Sequence, residues 1–239
     1  MGYGETYGAW KADPEAFWLE AAEGIDWVKP PTRALDDSKA PLYEWFTDAE
    51  VNTCWNAVDR HVDAGTGDRT AIIYYSPVTD TVEYISYADL QTRVARLAGA
   101  LAAKGVTKGD RVVIYMSMVP EALVAMLAVT RLGAIHSVVF GGFAANELAV
   151  RIDDAKPKAI IATSCGIEPG RVVEYKPLLD AAIEEASHAP DFCVIFQRDA
   201  AQASLVQGRD YEWQDFQEGA PLADCVTVKG NDPAYILYT

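Results

Sequence analysis

The chain has 239 residues, half of them apolar and 23% charged, with 35 acidic against 20 basic side chains and a formal charge of −15. That balance excludes a disordered chain and a coiled coil, and it disfavours nucleic acid and anionic membranes as partners. An anionic ligand would have to be met by a local cluster of cations or by backbone N–H groups.

Residues 1–48 hold four of the six tryptophans: Trp10, Trp18, Trp27 and Trp45. One short helix is predicted from Asp13 to Gly24, in "DPEAFWLEAAEG". The segment reads as a wrap over a main body made by residues 49–239, with the tryptophans as packing residues. The opening "MGYGETYGAWKADPEAF" lacks the apolar run of a signal peptide, and the longest apolar stretches are too short to span a bilayer. Cys54, Cys165, Cys193 and Cys225 are irregularly spaced without a C-x-x-C pair, which points to reduced thiols and a cytoplasmic protein.

Residues 49–62 are predicted helical. "RTAIIYYS" and "TVEYISY" follow as two strands around the turn "PVTD". Ser86 with Asp89 makes a capping-box pattern, and the next helix aligns Leu90, Val94, Leu97, Ala98 and Leu101 before Gly105 ends it. A regular alternation then sets in. "DRVVIYMSM", "HSVVF", "PKAIIAT" and "DFCVIFQ" are strands, and "PEALVAMLAVTRLG", "ANELAVRIDDA" and "KPLLDAAIEEA" are helices. Strands apolar on both faces, alternating with amphipathic helices, predict an α/β fold with a parallel sheet covered on both sides. Ligands of such sheets sit beyond the carboxyl ends of the strands.

Three loops lie there. "SMVPEAL" (117–123) is structural punctuation, with Pro120 opening a helix. "VFGGFAANEL" (139–148) puts Gly141 and Gly142 between a strand and a helix, flanked by Phe140 and Phe143. The glycines serve either a tight turn or the close approach of a ligand on which an aromatic ring stacks, and the residues alone leave both open. "ATSCGIEPGRVVEYKP" (162–177) carries Arg171 and Lys176, which fit either an anion or a solvated loop. His61, His136 and His188 are scattered and read as structural. Cys165 has no histidine near it in sequence, and Asp153-Asp154 read as surface. The closing "DPAYILYT" reads as a loop followed by the start of a buried strand.

Taken in order, "GDRVVIYMSMVPEALVAMLAVTRLGAIHSVVFGGFAANEL", "EPGRVVEYKPLLDAAI" and "DPAYILYT" resemble the AMP-forming acyl-CoA synthetases, specifically the acetyl-/propionyl-CoA synthetase group. The "EPGR" version looks more like the propionate branch. The resemblance implies the incomplete N-terminal part of an adenylate-forming fold, with Thr239 as the first residue of the ATP phosphate loop. It implies a ligase that joins a short carboxylate to coenzyme A at the expense of ATP, with magnesium, through an acyl-adenylate. This part alone would be inactive. No catalytic residue is expected in it. By the same resemblance Phe140, Gly141 and Gly142 border the adenine and ribose of coenzyme A. Glu168, Pro169, Gly170 and Arg171 then form the loop near its phosphates, with Arg171 as the phosphate ligand. Two positions depart from relatives: Glu168, where a cation is common, and Ala144, where a capping serine is common. A non-catalytic nucleotide- or CoA-binding module and an adenylating ligase with another acceptor stay open as alternatives.

Overall fold

Residues 2–238 are described by the structure, a computed structural model. Helices α1 (Tyr3–Ala12) and α2 (Pro14–Ala22) come first. The start of α2 has a local cause: Asp13 Oδ1 accepts from the Ala16 N–H at 3.0 Å, and Pro14 takes the first position, where no N–H is missed. Helix α1 is an addition to the predicted elements, and none of its side chains is buried. The tryptophans pack among themselves more than they bury: Trp18 meets Trp45 edge-on at 5.5 Å, yet both remain more than a third exposed. Trp27 is tied down better, with its Nε1 donating to the Ala22 carbonyl at 2.7 Å.

The helix predicted over 49–62 begins later. Glu50–Val51 pairs antiparallel with Val228–Lys229, and Asn52 Oδ1 then accepts from the Trp55 N–H, so the helical stretch covers residues 53–66 with widened turns at Trp55–Asp59 and Val62–Thr66. The hairpin is as expected, with β1 (Thr70–Ser76) antiparallel to β2 (Thr81–Ser86). Its outer face keeps Ile73, Tyr75, Val82 and Tyr84 exposed. Ser86 then caps α3 (Tyr87–Ala103) by accepting from the Asp89 N–H at 3.1 Å.

After α3 come β3 (Arg111–Tyr115), α4 (Pro120–Arg131), β4 (Ile135–Val138), α5 (Ala145–Ala155), β5 (Ala159–Thr163), β6 (Cys165–Glu168), β7 (Arg171–Glu174), α6 (Tyr175–Glu185), β8 (Phe192–Phe196), β9 (Asp210–Glu212), α7 (Trp213–Gln217) and β10 (Tyr235–Ile236), while Leu35–Asp36 pairs with Glu44–Trp45 in the N-terminal segment. Six strands form one parallel sheet in the order β9-β8-β5-β3-β4-β10. Side chains alternate across it. Val112, Ile114, Ile161 and Val194 enter a core shared with α3, α4 and α7. Val113, Tyr115, Ile160 and Ile195 enter a second core under α5 and α6. Each isoleucine buried this way contributes about 2 kcal/mol. Helices therefore cover both faces, as the sequence pattern requires.

The strand in "AYILY" is short: β10 covers two residues and pairs with β4, and within the described residues Tyr235 and Leu237 are 61% and 72% exposed, so the burial expected for this run is not seen there. No helix among the described residues is long and apolar enough to cross a membrane.

Candidate functional site

The strand β4 ends in the turn 139–144. Phe140 projects outward with 70% of its surface exposed, and its ring centroid lies 5.8 Å from that of Phe143. Tyr115 pins the turn from below by donating its hydroxyl to the Phe143 carbonyl at 2.9 Å, and burial pushes the Tyr115 pKa up to about 12. The two glycines have different causes. A Cβ on Gly141 would stand 2.6 Å from Cε2 of Tyr175, 2.7 Å from its Oη and 2.9 Å from the Met116 carbonyl oxygen, so the space is filled by protein. Gly142 has φ +94°, where other residues are strained. Ala144 takes the N-cap of α5 and offers no side-chain cap.

Residues 162–177 were expected as a loop and are instead mostly a hairpin. Strands β6 and β7 pair antiparallel with Glu168 opposite Arg171, and Pro169-Gly170 make the turn, Gly170 at φ +79°. The four turn residues come together at an exposed tip. A shallow hollow of about 450 Å³ lies there, lined by Val78 and residues 167–172. Arg171 Nε donates to Glu168 Oε2 at 2.6 Å, and that bond raises the guanidinium pKa further. The tip thus carries a local ion pair rather than a bare cation. Gly166, like Gly141, abuts the Tyr175 ring, so one tyrosine packs against both the 139–144 turn and the base of the hairpin.

Lys176, the second expected cation, is not available. It is buried, with its Nζ 2.6 Å from Asp180 and 2.9 Å from Asp210. A lysine at the first turn of a helix reads as solvated, and only the ion pair with Asp210 at the start of β9 turns it inward. Cys165 is fully buried, which removes it as a nucleophile. The histidines are structural, as expected: His136 stacks on Tyr235, His61 lies against Tyr87, and His188 Nε2 bonds the Pro157 carbonyl. Asp153 and Asp154, read as surface, each hold a partner: the His188 N–H and the Tyr238 hydroxyl. Thr239 lies outside the described residues.

The sequence reading passed over Arg198. It lies two residues after β8, and its Nη1 lies 3.3 Å from Ser117 Oγ and 3.5 Å from the Cys165 carbonyl oxygen. Among the described residues no carboxylate pairs with it. Its signal was present: a cation just after a core strand stands at the carboxyl edge of the sheet.

Residues 58–239 match the family described as AMP-binding enzyme. The chain belongs to the AMP-binding enzyme family. Residues 3–57 match the acetyl-coenzyme A synthetase N-terminus. The acyl-CoA synthetase short-chain family member 3, mitochondrial, of Rattus norvegicus is 50% identical over 99% of this chain and 35% of its own length. The propionate–CoA ligase of Salmonella typhimurium is 40% identical over 100% of this chain and 38% of its own. The chain thus spans about a third of these curated relatives. A solved structure of the acetoacetyl-CoA synthetase from Streptomyces lividans superposes with a TM-score of 0.87 at 22% identity, over 100% of this chain and 36% of that one. Its likeness establishes the fold, a parallel sheet with helices on both faces. The resemblance read from the stretches that begin "GDRVVIYMSM", "EPGRVVEYKP" and "DPAYILYT" is borne out at the level of the family.

Proposed function

We propose that the native protein is an ATP-dependent ligase that joins a short carboxylate, propionate before acetate, to coenzyme A through an acyl-adenylate. This chain supplies part of the coenzyme A site and no adenylation chemistry of its own. One observation carries the reading: Tyr175 fixes the Gly141-Gly142 turn and the 165–174 hairpin together at the carboxyl side of the sheet. That leaves an exposed ring, Phe140, on one turn and a guanidinium, Arg171, on the other. An aromatic face with a cation fits a nucleotide, the ring stacking on a base and the guanidinium meeting a phosphate. Gly141 supports the turn, its Cβ position being filled by Tyr175, whereas the space over Gly142 is open to a ligand.

The fit has one cost. Glu168 holds Arg171 Nε, so a phosphate would have to use the Nη groups or displace the carboxylate. ATP and magnesium belong to the proposal through the family alone, the one as substrate and the other to neutralise phosphate charge. No described residue is assigned to either. A cytoplasmic location is likewise proposed, supported by four free cysteines; the rat relative is named as mitochondrial.

The test is a two-part assay on the full-length native protein. Propionate-dependent release of pyrophosphate from ATP is expected, followed by release of AMP only when coenzyme A is added. Pyrophosphate release with no response to coenzyme A would favour a different acceptor. Absence of both would leave a binding module.

A further inference from the structure

Cys54, Asp59 and Cys225 place two sulfurs and a carboxylate oxygen within 4.8 Å of one another. The two cysteines are far apart in sequence, and the fold delivers them by fixing the backbone around Cys225. The Val226 N–H donates to the Arg131 carbonyl at 2.8 Å, Arg131 Nε donates to the Ala223 carbonyl at 2.6 Å, and Asn52 Nδ2 donates to the Val226 carbonyl at 2.8 Å. Cys54 sits two residues after Asn52 and is fully buried, whereas Cys225 is half-buried.

Two sulfurs and a carboxylate also resemble a metal site. Arg131 argues against that. Its Nη1 lies 2.7 Å from Asp59 Oδ2 and 3.7 Å from Cys54 Sγ, so a cation already occupies the centre and would repel a second one. The same guanidinium favours a thiolate. A hydrogen bond from Cys225, then the charge of Arg131, pull the Cys54 thiol below its ordinary value against the effect of burial.

We propose that Cys54 and Cys225 form a dithiol that a small peroxide oxidises reversibly to an intramolecular disulfide. Cys54, held as the thiolate by the hydrogen bond from Cys225 and by Arg131, takes the Cys225 proton as the Cys225 sulfur attacks a peroxide oxygen. The O–O bond breaks, and the departing hydroxide takes up the proton that the Cys54 thiol had released to solvent and becomes water. Cys225 is left as a sulfenic acid. Cys54 then attacks that sulfur with its electron pair, the S–O bond breaks, and a second water leaves. The balance is two thiols and one hydrogen peroxide to one disulfide and two waters. A dithiol reductant reverses it. The bond would tie the segment before β10 to the start of the helical stretch at residues 53–66. Closing so long a loop restricts the unfolded chain and raises the melting temperature.

The test uses the full-length native protein treated with stoichiometric hydrogen peroxide. The expected result is a mass loss of about 2 Da, two hydrogens. A non-reducing peptide map joining residues 54 and 225, and a higher melting temperature reversed by dithiothreitol, are expected with it. Cys225→Ser should abolish the loss. If that variant fails to fold, the peptide map decides alone. Oxygen addition without the cross-link, or a cross-link to Cys165 or Cys193, would overturn the proposal. So would a zinc adduct of the reduced protein, seen by native mass spectrometry, that requires both cysteines.

Discussion

The Tyr175 ring occupies the space that a side chain on Gly141 would need, with Cε2 only 2.6 Å from the position of a Cβ there. Gly141→Ala therefore forces the ring or the turn to move, at a cost of about 1–3 kcal/mol. Denaturant melts of Gly141→Ala, Tyr175→Ala and the double variant check this. The double variant should be less destabilised than the sum of the two. Strict additivity would show that the Met116 carbonyl, not the ring, is the obstacle.

Arg171 and Glu168 make opposite predictions. Arg171→Ala in the full-length protein should raise KM for coenzyme A about tenfold, the order expected for the loss of one charge-assisted bond. Coenzyme A-independent pyrophosphate release should persist. Glu168→Gln removes the carboxylate that holds Arg171 Nε and should lower the same KM. Equal loss of both half-reactions in Arg171→Ala would show that Arg171 does not act on coenzyme A.

Ala144 leaves the N-terminus of α5 without a side-chain cap. Ala144→Ser should stabilise the protein by about 1 kcal/mol, because its hydroxyl can accept from an unpaired N–H of the first turn. Thermal melts read this directly. No change would mean that the turn holds residue 144 out of capping reach.

Arg131 and Asp59 form an ion pair with both side chains at 7% exposure or less. Burial opposes the charge on Arg131, while the Asp59 hydrogen bond holds its pKa above the ordinary value. Arg131→Met strands a buried carboxylate and should cost about 3–5 kcal/mol. Adding Asp59→Leu should recover part of that loss in urea melts. No recovery would mean that the pair's contacts, and not the stranded charge, matter.

Asp210 predicts the acid limb of stability. Burial works to raise its pKa, but the Arg209 hydrogen bonds, the Val206 N–H and Lys176 together hold it below the usual 3.8. A folded-state pKa below the unfolded one stabilises the protein above the unfolded value, and the gain is lost as pH falls through the lowered one. Stability should thus be insensitive to this group above about pH 5 and should fall below pH 4. In Asp210→Asn the melting temperature should be lower at neutral pH and flatter across that acid range. An unchanged acid slope would assign the effect to other carboxylates.

Much of the site was legible for local reasons. The Gly141-Gly142 turn, the cap at Ser86 and the start of α4 at Pro120 depend on residues within a few positions of one another. Lys176 and Arg198 were not legible, because their availability depends on long-range neighbours. Asp210 turns Lys176 inward from 34 residues away. Arg198 becomes part of the carboxyl edge only because β8 lies beside β5 and close to the end of β3.

The sequence by itself determined the layered α/β fold. Continuous apolar strands and amphipathic helices have only one economical arrangement, a parallel sheet with both faces covered. It also determined the family, through short motifs whose geometry is local. The tertiary structure decided the order of the strands, that the "EPGR" segment is a hairpin tip with a paired arginine, and that Cys54 meets Cys225. Strand order and the meeting of distant side chains arise from packing across the whole chain, which no short-range pattern records.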